Sequence, residues 1–119
     1  MKQILLFAAA IFTLAIHGEA EAHAFLLKSA PAVGAAVTAP STVRLEFSEG
    51  LELAFSGIDV TNGTGALVAA KNVRFNGADH KVLLADLPPL LPGTYRVKWH
   101  AVSVDTHRTE GDFSFTVKP

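Results

Sequence analysis

Tyr95-Arg96-Val97-Lys98-Trp99-His100-Ala101 alternates without a break. Tyr95, Val97, Trp99 and Ala101 fall on one side of an extended chain, and Arg96, Lys98 and His100 on the other. A helix would scatter these residues around its axis. A half-buried strand sorts them into a core face and a wet face. The same period recurs outward in both directions. Val43-Arg44-Leu45-Glu46-Phe47 and Gly57-Ile58-Asp59-Val60-Thr61 repeat it, and Phe113, Phe115 and Val117 repeat it again after Asp112. Lys81 to Leu84 reads as another short strand, closed off by Pro88-Pro89 and Pro92-Gly93. Asn62-Gly63-Thr64-Gly65 reads as a tight turn, because Asn and Gly tolerate positive φ. No stretch after residue 23 holds a helical apolar period beyond two turns. The Ala-, Pro- and Gly-rich segment from Ser29 to Thr42 reads as a long loop packed over one end of the fold. About seven strands separated by such turns predict an all-β chain, either a β-sandwich or a small Greek-key barrel.

The composition agrees with one such domain. The chain has 119 residues, half of them apolar and 18% charged, with a formal charge of -1. Disorder requires lower hydrophobicity, and a nucleic-acid surface requires a basic excess that is missing here. There is no cysteine, which excludes disulfides and thiolate chemistry.

Residues 1–22 read as a cleaved secretory signal peptide. Lys2 is followed by an apolar run from Ile4 to Ile16, and Ala20-Glu21-Ala22 supplies a small-x-small cleavage pattern. Gly18, Glu19 and Glu21 end the run short of the roughly 20 residues that span a bilayer. The predicted mature domain is 23–119, with no membrane-spanning segment. Lys2, Glu19 and Glu21 leave with the signal, so nine basic and nine acidic residues remain. Met1, the single methionine, leaves as well. Cleavage after Ala22 makes His23 the new terminus. A cut after Ala20 would leave two residues ahead of it.

Four histidines remain: His23, His80, His100 and His107. No H-E-x-x-H, Gly-rich phosphate loop or G-x-S-x-G is present. Asp105-Thr106-His107 places a carboxylate and an imidazole on one side of an extended segment. Alone, that pair reads first as a solvent-exposed turn or a histidine oriented by a carboxylate. His23 changes the balance, because a terminal histidine offers an α-amine beside its ring nitrogen. Together His23, Asp105 and His107 give nitrogen and oxygen donors without sulfur, a set suited to tetragonal Cu(II), with Ni(II) or Zn(II) as weaker competitors. This requires the first strand, from about Ala24, to lie beside the loop that holds Asp105. His100 sits on a wet strand face with Arg96 and Lys98, and His80 in a loop, so neither is expected as a ligand. Trp99 is expected in the core.

His23-Ala24-Phe25-Leu26-Leu27-Lys28-Ser29-Ala30-Pro31 opens the mature chain. Val97 to His107, with its W-x-A-V-S-x-D-x-H string, closes it, followed by Gly111, Phe115 and Val117. In these motifs the sequence resembles the CopC family of periplasmic copper-binding proteins. Leu45-Glu46-Phe47-Ser48-Glu49 and Pro92-Gly93-Thr94-Tyr95 are similar to internal strands of that family. The resemblance implies a seven-stranded Greek-key β-barrel, immunoglobulin- or cupredoxin-like. It implies one Cu(II) ion per chain, held by the amine and imidazole of His23, by Asp105 and by His107. Glu49 matches a family acidic residue close to that site. The methionine-rich Cu(I) loop of some members has no counterpart, since Glu52 to Leu67 contains no methionine. The resemblance also implies a soluble copper-homeostasis or copper-resistance protein of the periplasm, with a separate CopD-type membrane transporter as partner. It implies no enzyme, and the balanced charge points to no nucleic-acid ligand. Two rival functions fit parts of the sequence. A metal-free β-sandwich interaction module explains the strands but not the terminal histidine with Asp-x-His. A histidine-brace copper monooxygenase also uses a terminal histidine, but a carboxylate ligand disfavours the reduced copper such an enzyme needs.

Overall fold

The computed structural model describes residues 23–119. The expected signal peptide, 1–22, lies outside the described residues. The first sheet contains β1 (Leu26–Ala30), β3 (Thr42–Phe47), β7 (Asp79–Asp86) and β6 (Lys71–Asn76), in that spatial order. The second contains β2 (Ala36–Val37), β9 (Arg108–Val117), β8 (Gly93–Val102), β4 (Gly57–Thr61) and β5 (Leu67–Val68). Every pairing is antiparallel except β2 with β9, which is parallel. The two sheets form a β-sandwich.

The alternation that predicts the strands also predicts what they bury. Val43, Leu45 and Phe47 of β3 point inward, with Leu83 and Ala85 of β7 beside them. From the second sheet come Ile58 and Val60, then Tyr95, Val97 and Ala101, then Phe113, Phe115 and Val117. Aromatic pairs fix this core. Trp99 meets Phe47 edge to face with ring centroids 5.1 Å apart, and Tyr95 stacks on Phe115 at 5.6 Å. The phenol of Tyr95 donates to the Leu91 carbonyl at 2.7 Å, so its polar tip is satisfied. Trp99 packs against the core as expected.

Several details differ from the sequence reading. The described residues hold nine strands rather than about seven, because β2 and β5 are two-residue pairings too short to show a period. β6 escapes a periodicity reading for another reason. Its register slips at Lys71/Arg74 and at Phe75/Asn76, and Asn72 has φ of 62°. Such irregularities break the inside–outside alternation. His80 belongs to β7 rather than a loop, because Asn76 pairs with Asp79 across a two-residue turn where Gly77 has φ of 61°. β9 starts at Arg108, four residues before the Phe-rich stretch, because its inward positions there are Thr109 and Gly111. The segment expected to cover one end of the fold lies along β9 instead. Gly34 donates to the Ser114 carbonyl at 2.7 Å, and Thr116 donates to the Ala35 carbonyl at 2.8 Å.

Candidate metal centre

One end of the sandwich collects the start of β1, the ends of β3 and β8, and the starts of β7 and β9. There β8 passes into β9 through a closed turn. Ser103 donates its amide to the His107 carbonyl at 2.9 Å, and Thr106 donates to the Ser103 carbonyl at 2.7 Å. Thr106 takes φ of 75°, which turns the chain between Asp105 and His107. The two side chains do come together, but not as neighbours on an extended strand. The left-handed residue between them makes the approach.

Within the turn, the Asp105 carboxylate is held on three sides. Its Oδ1 accepts from the Ser103 hydroxyl and from the His107 amide, the latter at 3.3 Å. Its Oδ2 lies 3.0 Å from His107 Nδ1. The Ser103 and His107 hydrogen bonds hold the Asp105 carboxyl at about 2, below its usual 3.8. Asp105 therefore stays ionised at any ordinary pH. A carboxylate offers about four acceptor positions, so roughly one remains open on Oδ2. With Nδ1 directed at Asp105, His107 presents Nε2 outward, and its side chain is 59% exposed.

The other limb comes from the residues just ahead of β1. Ala24 is fully buried, and its carbonyl accepts from the Thr109 hydroxyl at 2.8 Å. Phe25 and Ser48 exchange two hydrogen bonds, Phe25 N to Ser48 Oγ and Ser48 N to the Phe25 carbonyl, both 2.9 Å. These ties bring the His23 ring to the His107 ring, with centroids 4.6 Å apart and planes at 63°. The strand-beside-loop juxtaposition that the sequence reading required is therefore present. Glu49 is half-buried between Ser48, which binds the first limb, and Gly50, whose carbonyl accepts from Val104 of the turn at 3.0 Å.

The remaining histidines stand apart from this pair. The His80 ring stacks on Phe75 at 4.1 Å, and the His100 ring lies across Gly57. His100 is half-buried there, not freely exposed. Among the described residues no three His, Asp or Glu side chains already converge on a single point. The rings of His23 and His107 adjoin, while Asp105 faces the His107 edge. The donor chemistry still fits copper: two imidazoles and a carboxylate, with an amine once His23 is a terminus. In the full chain the His23 nitrogen is an amide joined to Ala22, with its lone pair delocalised into the carbonyl and so unavailable as an amine donor.

The sequence reading missed two hydroxyls. Ser103 continues the inward phase of Tyr95, Val97, Trp99 and Ala101, and is 1% exposed. Thr109 continues the inward phase of Phe113 and Phe115. A polar residue at an inward position needs a partner, and that signal was readable.

Residues 26–118 match the family described as the CopC domain. The chain belongs to the CopC family. Protein YobA of Escherichia coli K12 is 44% identical over 99 residues, covering 82% of this chain and 80% of YobA. Copper resistance protein C of Escherichia coli is 44% identical over 108 residues, covering 83% and 84%. The crystal structure of PcoC, a methionine-rich copper resistance protein from Escherichia coli, superposes with a TM-score of 0.75 at 45% identity. That match covers 82% of this chain and all of the PcoC chain. CopC-family members are copper-binding and copper-resistance proteins, not enzymes. No helix among the described residues is long and apolar enough to cross a membrane.

Proposed function

We propose that this CopC-family protein binds one Cu(II) ion in the periplasm and serves copper resistance or homeostasis. The observation that carries this reading is the meeting of His23 with His107, whose rings lie 4.6 Å apart beside an ionised Asp105. His23 supplies its amine and imidazole after removal of residues 1–22, His107 its second imidazole, and Asp105 an oxygen. Asp105 also orients His107 through Nδ1, as carboxylates commonly do for metal-binding histidines. Glu49, between the two limbs, orients the amine or a bound water. With no cysteine, and Met1 as the single methionine, residues 23–119 offer only nitrogen and oxygen donors. That set favours Cu(II) over Cu(I) and leaves no methionine Cu(I) site. Copper bound this way is cargo, released to a CopD-type transporter in the inner membrane. Binding weakens as pH falls, because amine and imidazole must lose protons to coordinate.

The test is a Cu(II) titration of the processed protein followed by electron paramagnetic resonance. Mass spectrometry first fixes the terminus at His23. One equivalent should give nitrogen-rich tetragonal spectra, and His107→Ala should change them and weaken binding at least tenfold. An unchanged spectrum and affinity in His107→Ala would refute the site.

A further inference from the structure

The two limbs of the centre are anchored very differently. Asp105 and His107 sit on a turn closed at both ends by β8 and β9. His23 lies ahead of the first ladder pair of β1, Leu26 with Phe47. Three residues, His23 to Phe25, must therefore be held by something other than the strand ladder. A backbone bond, Ser48 N to the Phe25 carbonyl at 2.9 Å, and two hydroxyls from opposite sheets do this. Ser48, just past β3, accepts from the Phe25 amide at 2.9 Å, and its Oγ lies 3.5 Å from the His23 carbonyl. Thr109, on the inward phase of β9, donates to the Ala24 carbonyl at 2.8 Å. The Ala24 methyl is fully enclosed between these ties. Thr109 is also only two residues beyond His107. One strand end thus carries both a ring of the centre and the hydroxyl that fixes the opposing ring.

We propose that Thr109 and Ser48 are positioning residues of the centre, clamping the His23 limb against the Asp105–His107 turn before any metal binds. Neither touches the metal. Their role is to meet the ordering cost of a chain terminus on folding, so that copper binding does not have to meet it. The copper consequence rests on the function proposed above. The clamp itself does not.

The experiment uses the processed, copper-free protein and three variants: Thr109→Val, Thr109→Ser and Ser48→Ala. Thr109→Val keeps the shape and removes the hydroxyl; Thr109→Ser restores it. In copper-free protein, amide order parameters at Ala24 and Phe25 should fall from a rigid value of about 0.85 to below about 0.6 in Thr109→Val. Thr109→Ser should recover them. Cu(II) affinity, measured by competition with a chelator, should weaken about fivefold per lost hydroxyl, the worth of one ordinary hydrogen bond. Trp99 fluorescence in urea monitors folding of each variant. Should Thr109→Val not fold, Ser48→Ala reads the same limb from the other sheet. Rigid Ala24 and Phe25 amides in the hydroxyl-free variants overturn the clamp, whatever copper does. A loosened limb with unchanged Cu(II) affinity, while His107→Ala abolishes binding, overturns the positioning role. If His107→Ala leaves copper binding intact, the copper site is wrong, and the order parameters alone decide the clamp.

Discussion

Gly111→Ala tests whether the core at the head of β9 is as tightly packed as its geometry implies. Gly111 pairs with Trp99 across β8 and β9, and the indole lies over the glycine. A Cβ at residue 111 would sit 2.7 Å from Trp99 Cζ2, 3.0 Å from Cε2 and 3.3 Å from Nε1. Ordinary contact begins near 3.4 Å, so the ring must retreat by most of an ångström. It cannot retreat freely, because its edge-to-face partner Phe47 is 5.1 Å away and almost wholly buried. Forcing a methyl into a packed core costs about 1–3 kcal/mol. Disturbing an aromatic pair forfeits up to about 0.5–1.5 kcal/mol more. Together these place the loss near 2–3 kcal/mol, and each kcal/mol lowers the melting point of a domain this size by about 4–8 °C. Urea unfolding followed by fluorescence is direct, since Trp99 is the single tryptophan. A double-mutant cycle then assigns the cause. Trp99→Phe replaces the indole with a smaller ring and removes the fluorescent probe, so unfolding of all four proteins in the cycle is followed by circular dichroism, and the double variant should be less destabilised than the sum of the singles by about 1 kcal/mol. A Gly111→Ala loss below about 0.5 kcal/mol would refute the reasoning, because surface-like tolerance is incompatible with a 2.7 Å clash.

Two further outcomes concern Asp105. Ser103→Ala removes the strongest influence lowering its pKa, so the carboxyl should rise from about 2 toward 3.8 in a carbon-13 NMR titration; an unmoved value would show that Ser103 does not hold it. Asp105 remains ionised at neutral pH in that variant, so any loss of Cu(II) affinity there reports a displaced carboxylate and not a neutralised one. Asp105→Asn should narrow the acid dependence of stability. The folded pKa lies below the unfolded one, so the carboxylate stabilises fully above about pH 4 and loses that contribution as pH falls toward about 2. Urea midpoints of parent and variant should therefore differ more at pH 6 than at pH 2, and an equal difference at both would sink the linkage.

The sequence determined the strands whose two faces differ. β3, β4 and β8 were legible because large apolar residues alternate with charges along them. β6, and the first four residues of β9, were not. Bulges hide the period in one, and small inward residues, Thr109 and Gly111, hide it in the other. Asp105 and His107 were legible as a pair through spacing. Their contact depends on the positive φ of Thr106, which spacing alone did not reveal. Only the tertiary structure decided that His23, eighty-four residues away in the chain, meets His107. That meeting depends on hydrogen bonds from opposite sheets, Ser48 to Phe25 and Thr109 to Ala24. Periodicity is a property of one strand and can be read along the chain. A site built where two sheets close on the segment from His23 to Phe25 is a property of their packing, and it exists only once both sheets have formed.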